Sequence, residues 1–160
     1  MVVYLTKSRE NESAAARELL ALAMERELSL SPSDYTLEKD ALGKPYLVGA
    51  PVSVSIAHSK GAVAVALSEN AVGVDIEPVM PIHDRVMKRF VGEGAGCSDD
   101  EKTRLWTRYE ALSKLIGSGI PMRAEDKKRA DECIFHTYRY EKYLVTACTE
   151  KDTESRLVVV

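Results

Sequence analysis

The chain has 160 residues, 45% of them hydrophobic and 29% charged, with a formal net charge of −3 at pH 7. This composition is ordinary for a globular protein that can bury a core, and the acidic balance argues against general nucleic-acid binding. No stretch approaches the roughly 18 apolar residues of a membrane helix and no export signal begins the chain, so we expect a cytoplasmic protein without membrane or nucleic-acid partners.

The first half of the sequence is predicted to contain strands, one long helix and a hairpin. The apolar run at 2–5 predicts a strand, and apolar residues at helical spacing predict a helix over 12–28. Extended chain follows from Tyr35 into a turn. The alternating segments 52–58 and 62–68 then predict a hairpin.

The second half begins with an alternating strand from Val72. A short helix near 83–91 and a glycine-rich loop are expected next. Ser98 with Glu101 three residues later forms a capping box, so a helix should start there and end near Ile116. The remaining segments are a closing hairpin, 134–139 with 142–148, and a final stretch, 156–160, that is either an edge strand or an ordered tail.

The strand that begins at Val72 carries two acids on one face. Side chains of a strand alternate between its faces, so the core-facing valines and isoleucine oppose a face that holds Gly73, Asp75 and Glu77. Neighbouring carboxylates repel each other unless a cation lies between them. Mg²⁺ prefers oxygen ligands and also binds phosphate oxygens, so this face is a candidate metal site, with Asp75 the firmer ligand.

The long helix adds an acid and a base on one face. In Trp106-Thr-Arg-Tyr-Glu-Ala-Leu-Ser-Lys114, Glu110 and Lys114 are four residues apart and lie one turn from each other. An exposed ion pair worth about 0.3–0.5 kcal/mol is the ordinary interpretation. With a two-acid strand in the same chain, we favour a site for a metal ion and a diphosphate. Glu110 would complete it and act as a base, and Lys114 would neutralise phosphate charge.

Four motifs together resemble the signature of the 4'-phosphopantetheinyl transferases. They are Gly43-Lys-Pro45, Ser53-Val-Ser-Ile-Ala-His-Ser59, Gly73-Val-Asp-Ile-Glu77 and the Trp106–Lys114 segment, in the family's order. The resemblance is to the longer type, which carries two fused half-domains. It implies an α+β fold of two similar α/β lobes in a pseudo-twofold arrangement, here residues 1–70 and 71–160. The second lobe would carry the metal site, and a monomer is expected.

The resemblance also implies an activity of the holo-acyl-carrier-protein synthase type. Such a transferase moves 4'-phosphopantetheine from coenzyme A to a serine of an apo acyl or peptidyl carrier protein, requires Mg²⁺ and releases adenosine 3',5'-bisphosphate. The implied metal ligands are Asp75, Glu77 and Glu110, and the implied catalytic residues are Glu110 and Lys114. The implied coenzyme A contacts are Lys44 near the nucleotide, His58 at the 3'-phosphate, Arg17 on the first helix, and Lys114.

The sequence departs from its relatives at several positions. Ala57 stands where relatives often carry serine, and Tyr109 where they often carry lysine. A basic helix that often precedes the 12–28 segment in relatives has no counterpart in this sequence. We expect Tyr109→Lys to leave activity intact or to raise it. Two alternatives remain open, a metal-dependent nucleotide diphosphate hydrolase and a non-catalytic module that binds carrier proteins or coenzyme A.

Overall fold

The computed structural model describes residues 1–8 and 11–160 of the chain. The first elements are β1 (Val2–Lys7), α1 (Glu12–Leu28), β2 (Thr36–Lys39), β3 (Pro45–Val48), β4 (Ser53–Ser59) and β5 (Ala62–Ser68). They are followed by β6 (Gly73–Pro78), α2 (Asp84–Val86) with a π-helical turn (Met87–Val91), α3 (Asp99–Ile116), α4 (Ala124–Lys128) with a 3₁₀ turn (Arg129–Glu132), β7 (Ile134–Tyr140), β8 (Tyr143–Thr149) and β9 (Arg156–Val159). Within the described ranges, no helix has the length and apolar character needed to cross a bilayer.

The strands form two larger sheets and a separate hairpin. The first sheet has the order β4-β5-β1-β9, the second has the order β6-β8-β7, and β2 pairs with β3. All pairs are antiparallel except β1 with β9, which is parallel. The final segment, left open between strand and tail, is therefore an edge strand. This strand, β9, adds to the sheet that contains β1. The division of the chain into two lobes at residue 70 stays a prediction.

The two sheets pack face to face, and a helix covers the outer face of each. On β1, Val3 and Leu5 face the second sheet, whereas Tyr4 faces α1. The period-two alternation of a strand produces this separation, because successive side chains point to opposite faces. On the far side of the second sheet, α3 packs through Leu112 and Leu115. The fold is thus mixed α and β, as expected, and the pseudo-twofold relation stays a prediction.

Helix α3 is held at both ends and crosses β6 at close range. The predicted capping box is present, with Ser98 and Glu101 bonded reciprocally, and Gly117 ends the helix with a φ of 78°. At the crossing, a Cβ atom added to Gly73 would lie 2.0 Å from the carbonyl oxygen of Ala111. The missing side chain of Gly73 therefore lets the helix rest directly on the acidic face of β6.

The edges of the two sheets meet where β4 runs beside β6. The backbone N–H of Val74 donates a buried hydrogen bond of 3.0 Å to the hydroxyl of Ser55. The hydroxyl of Tyr143 donates a bond of 2.8 Å to the carbonyl of Lys60 in the β4–β5 turn. These contacts bring the end of β4, the acidic face of β6 and helix α3 to one place.

Candidate active site

The centre of the candidate site is the carboxyl group of Asp75, which β6 directs toward α3. Asp75 is 3% exposed, and its Oδ1 accepts a hydrogen bond of 2.7 Å from Nζ of Lys114. Its Oδ2 is buried, and the described side chains supply it with no donor when all carboxylates are ionised. A buried carboxylate oxygen without a donor is costly, so this atom calls for a proton or a cation.

Glu110 on α3 lies beside Asp75, and the two carboxyl groups repel each other when both are ionised. Burial, followed by the charge of Asp75, raises the pKa of Glu110 to about 7, while Lys114 opposes this shift. Burial also raises the pKa of Asp75, against the pull of the Lys114 ammonium. A protonated Glu110 can hydrogen-bond to Asp75. The pair therefore holds a proton near neutral pH, or a metal ion in its place.

Glu77 lies at the end of the same face and is partly buried. Its Oε2 accepts a hydrogen bond of 2.6 Å from the hydroxyl of Ser59 on β4. Burial raises the pKa of Glu77, while the Ser59 bond and the charges of Lys60 and Lys114 lower it. The structure thus brings together all three acids predicted from sequence. The carboxylate of Glu77 is in addition hydrogen-bonded to a residue of β4.

The donor set fits a hard divalent cation held by few protein ligands. Among residues 1–8 and 11–160, no three His, Cys, Asp or Glu side chains are arranged to hold a metal ion together. Mg²⁺ commonly takes one or two carboxylates and fills its remaining positions with phosphate oxygens and water. Asp75, with its free Oδ2, and Glu110 match that pattern. A direct bond from Glu77 to the ion stays a prediction.

A cavity beside Lys114 also contains the predicted nucleotide contact Lys44. The cavity has a volume of about 240 Å³ and lies between the turn before β3, strand β4 and the end of α3. Nζ of Lys44 donates a bond of 2.5 Å to the carbonyl of Leu115, and burial lowers the pKa of Lys44. The exposed side chain of Leu42 and the backbone of Gly117 form part of its rim. Two lysines therefore line one cavity next to the acids.

The other two predicted coenzyme contacts lie in different surroundings. His58 is half exposed, and its Nδ1 lies 2.7 Å from Oε2 of Glu12, whose other oxygen accepts a bond of 2.7 Å from the N–H of Gly61. Sequence reasoning treated Glu12 only as the start of a helix. Arg17 lines another cavity, of about 480 Å³, together with Lys39. A phosphate contact at His58 or Arg17 stays a prediction.

The sequence alone did not predict the hydroxyl groups that lie around the acids. Thr146 is the cross-strand partner of Asp75, and its buried hydroxyl lies 2.8 Å from that of Thr107 on α3. Ser59 was named only as part of a motif. A signal was present, because Ser53, Ser55 and Ser59 are an even number of residues apart along the chain that forms β4. Spacing places them on one face, but only the fold shows which acid that face meets.

Tyr109, which stands where relatives often carry lysine, has a structural role in this protein. Tyr109 is 6% exposed and packs in the core between α3 and the segments that follow it. Its ring centroid lies 5.8 Å from that of Trp106, and its hydroxyl accepts a buried bond of 2.9 Å from the N–H of Met122. These contacts make Tyr109 a structural residue of this core.

We therefore expect Tyr109→Lys to destabilise the protein, in contrast to the expectation from sequence alone. Placing an ammonium group in this core and losing the aromatic packing should lower the free energy of unfolding by about 3 kcal/mol or more. Tyr109→Phe should cost about 1–3 kcal/mol, because the N–H of Met122 loses its acceptor. Urea unfolding monitored by circular dichroism measures both. An unchanged midpoint for the lysine variant would contradict the core assignment.

Comparison with known proteins agrees with the motifs. No family model matches the chain. The chain is 30% identical over 115 residues to 4'-phosphopantetheinyl transferase Sfp of Bacillus subtilis (strain 168), covering 65% of this chain and 51% of that protein. It is 28% identical over 127 residues to 4'-phosphopantetheinyl transferase gsp of Aneurinibacillus migulanus, covering 71% and 53%. The chain thus spans about half the length of each relative. Both matches support a relationship between this chain and the 4'-phosphopantetheinyl transferases.

Proposed function

We propose that the protein transfers 4'-phosphopantetheine from coenzyme A to a serine of an apo acyl or peptidyl carrier protein. The observation that carries this proposal is the cluster of Asp75, Glu110 and Lys114, in which a buried acid pair and an ammonium group meet beside a cavity. Two acids that share a proton and a neighbouring lysine suit the binding of a diphosphate with a divalent ion. The similarity to named transferases supports the same assignment.

The chemistry requires charge neutralisation and positioning more than covalent participation by the protein. Bound Mg²⁺ would neutralise the diphosphate of coenzyme A, with Asp75 and Glu110 holding it and Glu77 close by. Lys114, whose ammonium group pairs with Asp75, would stabilise the negative charge that builds on the leaving phosphate. Lys44 lines the same cavity and would meet the nucleotide, and His58 and Arg17 stay proposed coenzyme contacts.

The transfer forms one bond and breaks one. The serine oxygen of the carrier attacks the phosphorus next to pantetheine, and the bond from that phosphorus to the bridging oxygen breaks. Adenosine 3',5'-bisphosphate leaves with the electron pair. Glu110 takes the serine proton, directly or through a water, and a pKa near 7 suits a group that accepts a proton at physiological pH.

The finer features of the assignment belong to the same proposal. We place the activity in the cytoplasm and in a monomer with two lobes, of the holo-acyl-carrier-protein synthase type. In the second half of the chain, Asp75 on β6 pairs with Lys114 on α3. Lys44, in the first half and directly before β3, bonds to the carbonyl of Leu115 on the same helix. These contacts support a site to which both halves contribute. The carrier would present its serine at the open side of the cavity.

A transfer assay tests the proposal and its rivals together. The protein is incubated with coenzyme A, Mg²⁺ and each of several apo carrier proteins, and the intact mass of each carrier is measured. We expect one carrier to gain the mass of phosphopantetheine. Coenzyme A breakdown without a carrier would indicate a hydrolase. Binding of coenzyme A with no transfer to any carrier would indicate a binding module.

The raised pKa of Glu110 predicts a dependence of stability on pH. Its pKa is near 7 in the folded protein and 4.5 as an ordinary side chain, so the folded state holds the extra proton between these values. The resulting stabilisation is complete below about pH 4.5 and is lost as the pH rises through about 7. Relative to Glu110→Gln, the wild-type protein should lose about 2–3 kcal/mol between about pH 5 and pH 8.

Urea unfolding of the two proteins at both pH values measures this difference. Mg²⁺ should offset most of the loss at the higher pH, because a cation between Asp75 and Glu110 favours their ionised forms. A stability difference that stays constant across the range would contradict the shared-proton arrangement.

A further inference from the structure

Two serines on β4 connect the edges of the sheets, and they contact different groups. Ser55 and Ser59 are four residues apart and so share one face of the strand. The hydroxyl of Ser55 accepts a bond from the backbone N–H of Val74, which is a purely structural contact. The hydroxyl of Ser59 instead donates a bond of 2.6 Å to the carboxylate of Glu77. The second contact reaches a side chain of the candidate site.

The bond from Ser59 is the hydrogen bond that the described side chains give to the carboxylate of Glu77. Its charged neighbours Asp75 and Glu110 repel it, and the attracting groups are the ammonium groups of Lys60 and Lys114. Glu77 stands next to Pro78 at the end of β6, so its side chain has a path to solvent. The bond to Ser59 opposes the repulsion by fixing one carboxylate oxygen. The other oxygen retains its lone pairs for a cation.

The turn that presents Ser59 is itself anchored from several sides. The carbonyl of Gly61 accepts a bond of 2.9 Å from the N–H of Ser8, and the N–H of Gly61 donates to Glu12. The carbonyl of Lys60 accepts the hydroxyl of Tyr143. Because these bonds fix the backbone of Lys60 and Gly61, directly after Ser59, the Ser59 hydroxyl is held at a defined position.

We propose that Ser59 is a positioning residue that holds the carboxylate of Glu77 near the Asp75–Glu110 pair, where its negative charge raises the affinity of the site for a divalent cation. This inference rests on the metal site of the proposed function. Ser59 acts through Glu77 and is not assigned a contact with the substrate. Partners that orient the ligands of a metal site typically contribute about 10- to 100-fold in metal affinity.

The experiment measures Mn²⁺ binding to the full chain by isothermal titration calorimetry and electron paramagnetic resonance. Ser59→Ala should bind Mn²⁺ about tenfold more weakly than the wild-type protein, and Ser59→Thr, which keeps the hydroxyl, should recover most of the affinity. Ser55→Ala is the matched control on the same strand face. It should lower the midpoint of thermal unfolding, because the N–H of Val74 loses its partner, and leave Mn²⁺ affinity unchanged.

The outcomes separate this inference from the proposed function. Absence of Mn²⁺ binding to the wild-type protein would overturn both the metal site and the role of Ser59. Wild-type binding with equal affinity in Ser59→Ala would overturn the role of Ser59 alone. If transfer is observed, Ser59→Ala should need about tenfold more Mg²⁺ for half-maximal rate, with kcat restored at saturating Mg²⁺. An unchanged Mg²⁺ requirement would also contradict the inference.

Discussion

Asp75→Asn is expected to lower carrier modification by at least about 100-fold while the protein remains folded. The side chain keeps its shape but loses the charge that pairs with Lys114 and that we propose binds a cation. The neighbouring acid Glu110 then loses the repulsion of Asp75 and keeps only the weaker repulsion of Glu77, so its pKa should fall below about 7 although burial still raises it, and its carboxylate should pair with Lys114 instead.

This exchange of partners is why the loss of activity should occur without a comparable loss of stability. Removing one member of a buried ion pair usually costs about 3–5 kcal/mol because the other charge is left unpaired. Here a second carboxylate replaces it, so we expect a change within about 1 kcal/mol in urea unfolding. Asp152→Asn, at an exposed position far along the chain, is the matched control for the transfer assay. Wild-type turnover by Asp75→Asn would refute the role of the acid pair.

Gly73→Ala should destabilise the protein more than an alanine substitution at any of its other glycines. The new Cβ would lie 2.0 Å from the carbonyl oxygen of Ala111 and 2.6 Å from the backbone nitrogen of Leu115. Both atoms belong to the backbone of α3, so no side-chain rotation can relieve the overlap. The helix must move away from β6, which should cost about 3 kcal/mol or more and separate Asp75 from Lys114.

Gly43→Ala provides the control, since the space around Gly43 is open and only its φ of +84° opposes a side chain. That substitution should cost about 1–2 kcal/mol. Urea unfolding compares the two variants, and the transfer assay shows whether Gly73→Ala also loses activity. Similar costs for both variants would mean that α3 does not rest on β6 as closely as described.

Local sequence signals were sufficient for most secondary structure. The helix over 12–28 and the capping box at Ser98 depend on short-range patterns of apolar residues and capping side chains, and both are present in the structure. The final strand could not be decided locally, because β9 is defined by its pairing with β1 at the other end of the chain. A short apolar segment carries no signal for so distant a partner.

The acids of the candidate site could be predicted from residue type and from the periodicity of one strand and one helix. Contacts between distant segments could not be predicted in this way. Asp75 and Glu110 follow from the face of a strand and the face of a helix, so their meeting could be anticipated. Tyr109 lies four residues after Leu105 and three before Leu112, so it falls on the apolar stripe of the helix and its burial could also be anticipated. Its hydrogen bond with the N–H of Met122 could not, because that contact joins residues from separate segments. The pairing of His58 with Glu12 depends likewise on two elements that are 46 positions apart.

The alanines of β5 bear on how the chain can be divided. Ala62, Ala64 and Ala66 face the second sheet, against Val145 and neighbouring side chains of that sheet. Each sheet therefore buries its inner surface only by covering the other, and a fragment ending near residue 70 would leave this surface in contact with water. We expect the chain to melt in a single cooperative step, so that the acid cluster and the cavity that both segments line are lost together.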